Sequence, residues 1–347
     1  MSKRLARIGF AWLLAAAVTA LPACSSHSTN GAETASSPAA TAVTAEPPVE
    51  GDSAGSKEAI ASVDPSAPGS KGYLWKVTGG GNSGYLIGTI HVAKKNMYPL
   101  DPNVEQAIEE ANYIALELDL TKVDQKKMLE LVNEKALLTD GTTLKDHVDE
   151  KDYEKFQAIL KKSILAAAAP TFDQYEPWYA AMNLESLSAM KYMLNDGIDQ
   201  YLAKKAHKEG KTIIELESME SQLDIFDGFS KELQKQYFHE SVENMKNAAK
   251  GMEDLLEMWT AGDLKKLEQM HEEYEKEGRK SMGDEFEDYN GAFLDDRNAE
   301  MAKKIDGYLR EGDKGTYLVA VGSLHMVGDQ GLVSLLRKKG YQVEFVK

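Results

Sequence analysis

Short apolar runs closed by glycine alternate along this chain with long stretches in which apolar residues recur every three or four positions. The runs are Tyr73-Leu74-Trp75-Lys76-Val77, Tyr85-Leu86-Ile87-Gly88-Thr89-Ile90-His91, Tyr113-Ile114-Ala115-Leu116-Glu117-Leu118-Asp119-Leu120, Lys211-Thr212-Ile213-Ile214-Glu215-Leu216-Glu217, Tyr317-Leu318-Val319-Ala320-Val321-Gly322-Ser323-Leu324-His325 and Tyr341-Gln342-Val343-Glu344-Phe345-Val346. Runs of this length and composition predict strands, and the most continuous ones predict strands covered on both faces. Thr78 to Gly84 is a glycine-rich loop that makes the first two runs a hairpin. No Gly-Lys-Ser/Thr follows it and the next element is a strand, which argues against a phosphate loop. Asp101 suits an N-cap, Pro102 a first helical turn, and Val104, Ala107, Ile108 and Ala111 share one helical face. The order strand, helix, strand then predicts a right-handed parallel crossover. Residues 122–210 read as helical, with interruptions at Asp140-Gly141-Thr142 and Pro170 and a fresh start at Pro177-Trp178. Residues 218–310 read the same way, with Leu255, Leu256, Met258 and Trp259 toward the core, and a last helix runs from Gly331 to Lys339. The expected fold class is α/β: a mixed, mainly parallel sheet with strands at both ends of the chain and long helical insertions between them.

The first residues are of another kind. Lys3, Arg4 and Arg7 precede an apolar stretch over 10–20 and then Leu21-Pro22-Ala23-Cys24, which predicts a secretory signal over 1–23. The end of that segment resembles a bacterial lipobox, which implies lipid attachment at Cys24. Cys24 is the only cysteine, so an exported chain forms no internal disulfide. Residues 25–70 are mostly Ser, Thr, Ala, Pro and Gly, a composition that buries too little surface to order itself and predicts a flexible tether. The folded part is expected over 71–347. The formal charge is −16, and loss of the three basic residues of the signal makes it −19. Such an excess argues against nucleic acid or an anionic membrane surface as partner. Membrane attachment is expected through the lipid, and the location in the cell envelope, outside the cytoplasm.

Gly-x-x-His occurs twice at the end of a predicted buried strand, as Gly88-Thr89-Ile90-His91 and Gly322-Ser323-Leu324-His325. Ligands of open α/β sheets bind beyond the carboxyl ends of the strands, so the repetition brings both imidazoles toward one site. Gly88 and Gly322 let the strand bend or the backbone come close. Of the seven histidines, His27 lies in the tether, and His147, His207, His239 and His271 read as exposed. Glu117 falls inside an apolar run, where a carboxylate needs a cation, a network or a metal. Glu215 and Glu217, two apart, would share one face of their strand. Two histidines with one or two carboxylates and room for water suit a divalent ion such as Zn, Mn, Co or Fe, with a free glutamate as general base. No His-Glu-x-x-His or Gly-x-Ser-x-Gly occurs, and Ser323 beside His325 does not by adjacency make a nucleophile and base.

These motifs resemble those of the TraB/GumN family, relatives of the Tiki proteins. Further matches are Leu116-Glu117-Leu118-Asp119, Pro177-Trp178, Gly197-Ile198-Asp199, Leu216-Glu217-Ser218 with Gln222, Trp259-Thr260-Ala261-Gly262-Asp263 and Arg297-Asn298, so the resemblance spans 73–346. It implies an α/β fold similar to erythromycin-esterase-like and haem-binding lipoprotein relatives, with the metal-dependent peptidase activity of Tiki members. Carried over, His91 and His325 would be metal ligands, Glu117 a ligand or general base, and Glu217 a supporting carboxylate, around a divalent Mn, Co or Zn. Arg297 would pair with a site carboxylate or stabilise negative charge, or else cap a charged helix at the surface. The expected function is an extracytoplasmic metal-dependent hydrolase acting on a peptide or protein. The alternative is a non-enzymatic surface lipoprotein that binds haem, a metal or a peptide in the same crevice.

Overall fold

The apolar runs form six strands: β1 (Tyr73–Thr78), β2 (Ser83–Thr89), β3 (Tyr113–Leu116), β4 (Thr212–Glu215), β5 (Thr316–Gly322) and β6 (Gln342–Phe345). The computed structural model describes residues 69–347. The expected signal segment, Cys24 and the tether up to residue 68 lie outside the described residues. The strands make one sheet in the order β4-β3-β5-β2-β1-β6. Pairing is parallel from β4 through β3 and β5 to β2, and β1 is antiparallel to both β2 and β6. The sheet is thus mixed and mainly parallel.

Strand direction follows the expected crossover, but adjacency does not. β5 lies between β2 and β3, which places the two Gly-x-x-His strands side by side with Thr89 opposite Gly322. The near-continuous apolar sequence of β5 explains its central place, since Leu318 to Val321 are buried and a strand with helices on both faces has no solvent side.

β3 and β4 end before their apolar runs do. β3 stops at Leu116 and β4 at Glu215 because capping residues turn the chain. The Asp119 carboxylate accepts from Thr121 N–H and opens a 3-10 turn; Ser218 accepts from Ser221 N–H and opens helix Met219–Asp227. Backbone bonding to the neighbouring segment continues past β4 at Leu216 and Glu217, and the two glutamates there meet different partners. Glu215 accepts from the Asp119 N–H at 2.9 Å, whereas Glu217 turns to Arg297.

The helix read from Asp101 spans Pro102–Glu110, with Asp101 capping Asn103 N–H and Val104, Ala107 and Ile108 buried. In the insertions, helix Pro177–Ala189 packs along helix Lys231–Ala261. The longer helix ends at Gly262, whose φ of +61° a residue with a Cβ adopts only with strain. In its last turn Trp259 is enclosed, and its indole N–H donates to the Gly88 carbonyl at 2.8 Å. The long helix is thereby fastened to the strand that presents His91. No helix among the described residues is long and apolar enough to cross a membrane.

Candidate active site

Four neighbouring parallel strands end on the same edge, and each hands over a titratable side chain. His91 lies just past β2, His325 just past β5, Glu117 one residue past β3 and Glu217 two past β4. Arg297, from helix Asp296–Glu311, reaches the two glutamates from outside the sheet. Its Nε–H and Nη2–H donate to Glu217 Oε1 and Oε2, both at 2.7 Å, and Nη2–H also donates to Glu117 Oε2 at 2.8 Å. Its remaining Nη1–H donates to the Phe293 carbonyl at 3.0 Å. Glu117 Oε1 accepts from the Gly322 N–H at 2.6 Å, so the second Gly-x-x-His motif contributes its backbone as well as its imidazole. Glu217 Oε2 accepts from Gln222 at 3.0 Å. Arg297 is buried and its guanidinium lies against both carboxylates rather than at a surface helix end.

The charges respond to this enclosure in different ways. Burial raises the pKa of Glu117 against the opposing pull of Arg297 and His91. Burial also acts on Glu217, but the guanidinium fork outweighs it and holds that carboxyl below its ordinary range. Arg297 itself loses stability as a cation through burial and regains more from the two glutamates, so it stays charged. His325 is pushed well below the ordinary histidine range by burial and by the positive charge of Arg297. His91 goes the other way: burial disfavours its charge, but Asp199 raises its pKa to about 9. The His91 Nδ1 to Asp199 Oδ2 contact of 2.9 Å is an ion pair off the line of a directed hydrogen bond, since none of these nitrogen or oxygen atoms meets hydrogen-bond geometry.

Asp199 and Asn298 belong to the site although neither was singled out from the sequence, where both appeared only inside family motifs. Asp199 stands in the first turn of helix Ile198–Glu209, and the preceding Gly197 lies so close to the chain at His91 that an added Cβ would sit 2.3 Å from its carbonyl carbon. Only glycine allows that approach, and with it the ion pair. Asn298 follows Arg297 and holds the His325 ring, with Oδ1 2.7 Å from Nδ1. A π-helical turn, Gly291–Asp295, immediately precedes this helix, a local insertion of the kind found near functional sites. Gly88 packs against Ser323, where an added Cβ would come within 3.0 Å of its Cα. Ser323 donates to the Thr89 carbonyl at 2.9 Å, so it is a strand-end fastener rather than a nucleophile.

Of the other four described histidines, His207 is exposed and His147, His239 and His271 are half-buried. His207 lies 2.6 Å from Asp119 and His239 2.6 Å from Asp152. His147 meets Thr142 at 2.6 Å, and His271 is half-buried against Gly328.

The donors fit a divalent ion only in part. Nε2 of His91 and Nε2 of His325 are buried without a hydrogen-bond partner, which suits imidazole ligands. The carboxylates are committed elsewhere, since every oxygen of Glu117 and Glu217 accepts from Arg297, Gln222 or the Gly322 backbone. Among the described residues no three His, Cys, Asp or Glu side chains gather closely enough to hold a metal ion. The set of His91, His325, Glu117 and Glu217 is therefore not assembled as one ligand sphere. A guanidinium seated between two carboxylates competes for the same lone pairs an ion would need. His325 Nε2 lies 4.0 Å from Glu117 Oε1.

Beside the cluster, Glu217 and Arg297 form part of the wall of an open cleft of about 630 Å³. Leu216, Ile225, Ala292 and Met301 supply its apolar lining, and Asp296, Glu300 and Lys304 lie along it.

The profile of the TraB/PrgY/gumN family matches residues 73–345, essentially the whole described domain. The chain is 23% identical to a metalloprotease TIKI homolog of Nematostella vectensis, with 76% of this chain and 64% of that protein covered. It is 23% identical to metalloprotease TIKI2 of Danio rerio, covering 75% of this chain and 58% of that one. It is also 24% identical to the uncharacterized protein YbaP of Shigella flexneri, covering 74% and 89%. The chain thus spans about three fifths of the length of the two TIKI relatives. No solved structure matches it.

Proposed function

The chain belongs to the TraB/PrgY/gumN family, and from that membership and the strand-end cluster we propose that it is a metal-dependent hydrolase acting on polypeptides. The observation that carries the reading is the pair of buried, unpartnered Nε2 atoms of His91 and His325, on adjacent parallel strands beside Glu117. These two nitrogens would hold a divalent Mn, Co or Zn ion. When bound, such an ion lowers the pKa of a water and polarises a carbonyl. Glu117, whose proton affinity is raised by burial, accepts and returns a proton through Oε1, the oxygen that faces His325. Arg297 keeps Glu117 in place through Oε2 and balances its charge. The neighbouring cleft has the size and apolar lining to seat a peptide segment. The proposal extends to export and lipidation at Cys24, which would confine the activity to the cell envelope. Intact-mass analysis of chain recovered from native membranes is expected to show an acylated Cys24 as first residue, and an unmodified full-length chain would refute this part.

Elemental mass spectrometry of the purified protein, after dialysis against Mn, Co and Zn, is expected to give near-stoichiometric metal. Both His91→Ala and His325→Ala should lose it. Affinity should rise between pH 6 and pH 8, because a ligand histidine must shed its proton and Asp199 keeps that of His91 up to about 9. Glu117→Gln should retain the metal and lower peptide turnover by roughly 10²–10⁴-fold. A wild-type chain that takes up no ion sinks the proposal. Stoichiometric binding of haem, metal or peptide without turnover would instead select the second reading, a non-enzymatic binding protein.

A further inference from the structure

His325 is completely enclosed, and its two ring nitrogens meet different surroundings. Nδ1 faces the Asn298 side-chain oxygen at 2.7 Å, whereas Nε2 has no hydrogen-bond partner and lies 4.0 Å from Glu117 Oε1. A neutral imidazole carries one N–H, and the nitrogen that donates leaves a lone pair on the other. An amide oxygen only accepts, so Nδ1 must be the donor here. We propose that Asn298 is a positioning residue that fixes His325 as the Nδ1–H tautomer and so directs the Nε2 lone pair toward the Glu117–Arg297 cluster.

The setting restrains Asn298 as firmly as the ring. It is 2% exposed and sits on helix Asp296–Glu311 directly after Arg297, whose fork is tied to both glutamates. One turn of helix therefore delivers the cluster's cation and the group that orients its histidine. The comparison with His91 sharpens the point. The two Gly-x-x-His motifs are alike in sequence, yet His91 faces a carboxylate, Asp199, and His325 a neutral amide. A carboxylate both orients an imidazole and favours its cation; an amide orients it without adding charge. The strand pair thus carries two unlike histidines, and in His325 the amide partner leaves Nε2 without a hydrogen bond.

The test reads the tautomer directly in the metal-free, ¹⁵N-labelled full chain, by long-range ¹H–¹⁵N correlation of the imidazoles. His325 is assigned by the signals absent from His325→Gln. The expected spectrum has the proton on Nδ1 and a bare Nε2 from about pH 6 to about pH 8. In a folded Asn298→Ala the two tautomers should interconvert. A merely space-filling Asn298 would leave the tautomer unmoved in a folded Asn298→Ala, and that result overturns the proposal. So does a wild-type spectrum with the proton on Nε2, the outcome if the amide nitrogen rather than the oxygen faced the ring. Should Asn298→Ala fail to fold, the wild-type spectrum decides alone. Because no metal is present, this result is independent of whether the protein binds an ion.

Discussion

Arg297→Met is expected to lower the unfolding free energy at neutral pH by about 3–5 kcal/mol, the usual cost of removing one partner from a buried ion pair. Methionine fills much of the same volume, so the loss is electrostatic rather than a cavity effect. Glu117 and Glu217 would be left buried, each stripped of its guanidinium donors, and the Phe293 carbonyl would lose the Arg297 donor too. The sign of the pH dependence follows from the same contacts. In the wild type Glu217 is held below the ordinary carboxylate range, so its contribution is present above that range and fades as pH falls through the depressed value. In the variant both carboxyls gain protons more readily, which relieves their burial as pH falls. The deficit measured by urea unfolding should therefore be larger at pH 7.5 than at pH 5. A loss below about 1 kcal/mol, typical of a surface pair, or one identical at both pH values, would contradict the cluster. Arg297→Lys should recover only part of the loss, since a single ammonium cannot bridge two carboxylates as the fork does.

Glu185→Gln is expected to act in the opposite direction and to stabilise the protein above neutral pH. Glu185 is buried where helix Pro177–Ala189 meets helix Lys231–Ala261. Its oxygens accept from Ser241 Oγ at 2.6 Å and Tyr237 OH at 3.2 Å, and no cation pairs with it among the described residues. Burial raises its pKa from the ordinary 4.5 to about 7 despite those two hydrogen bonds. The folded state therefore holds a proton that the unfolded state has released, so stability falls as pH rises through this window. At 1.36 kcal/mol per pH unit the penalty approaches about 3 kcal/mol and is complete above pH 7. Glutamine keeps an acceptor and stays neutral, so its advantage should be absent near pH 4.5, grow to pH 7 and level off at about 2–3 kcal/mol. Denaturant midpoints of variant and wild type across this range provide the check. A difference that does not change with pH would show that Glu185 stays ionised in the fold.

Much of the architecture was legible along the chain because it depends on neighbours in sequence. Apolar runs between glycines marked the strands, Asp101 and Pro102 marked a helix start, and the repeated Gly-x-x-His identified the edge where His91 and His325 stand. Those features are set by backbone preference and side-chain period, which act over a few residues. β3 and β4 end before their apolar runs do because Asp119 and Ser218 cap the next turns with their side chains, a local competition that an apolar pattern does not reveal.

What tertiary structure alone decided was the company each functional residue keeps. Glu117 and Arg297 are 180 residues apart, yet their hydrogen bond replaces the metal contacts expected of Glu117. The insertion of β5 between β2 and β3 makes the two histidine strands neighbours, an order that no single strand encodes. Asp199 and Asn298 became histidine partners only because Gly197 admits one helix against His91 and helix Asp296–Glu311 comes up beside His325. Local pattern marks the elements and the strand ends where chemistry can occur. Packing decided which charges meet there, because burial and electrostatics act through space and depend on every element that closes over the site.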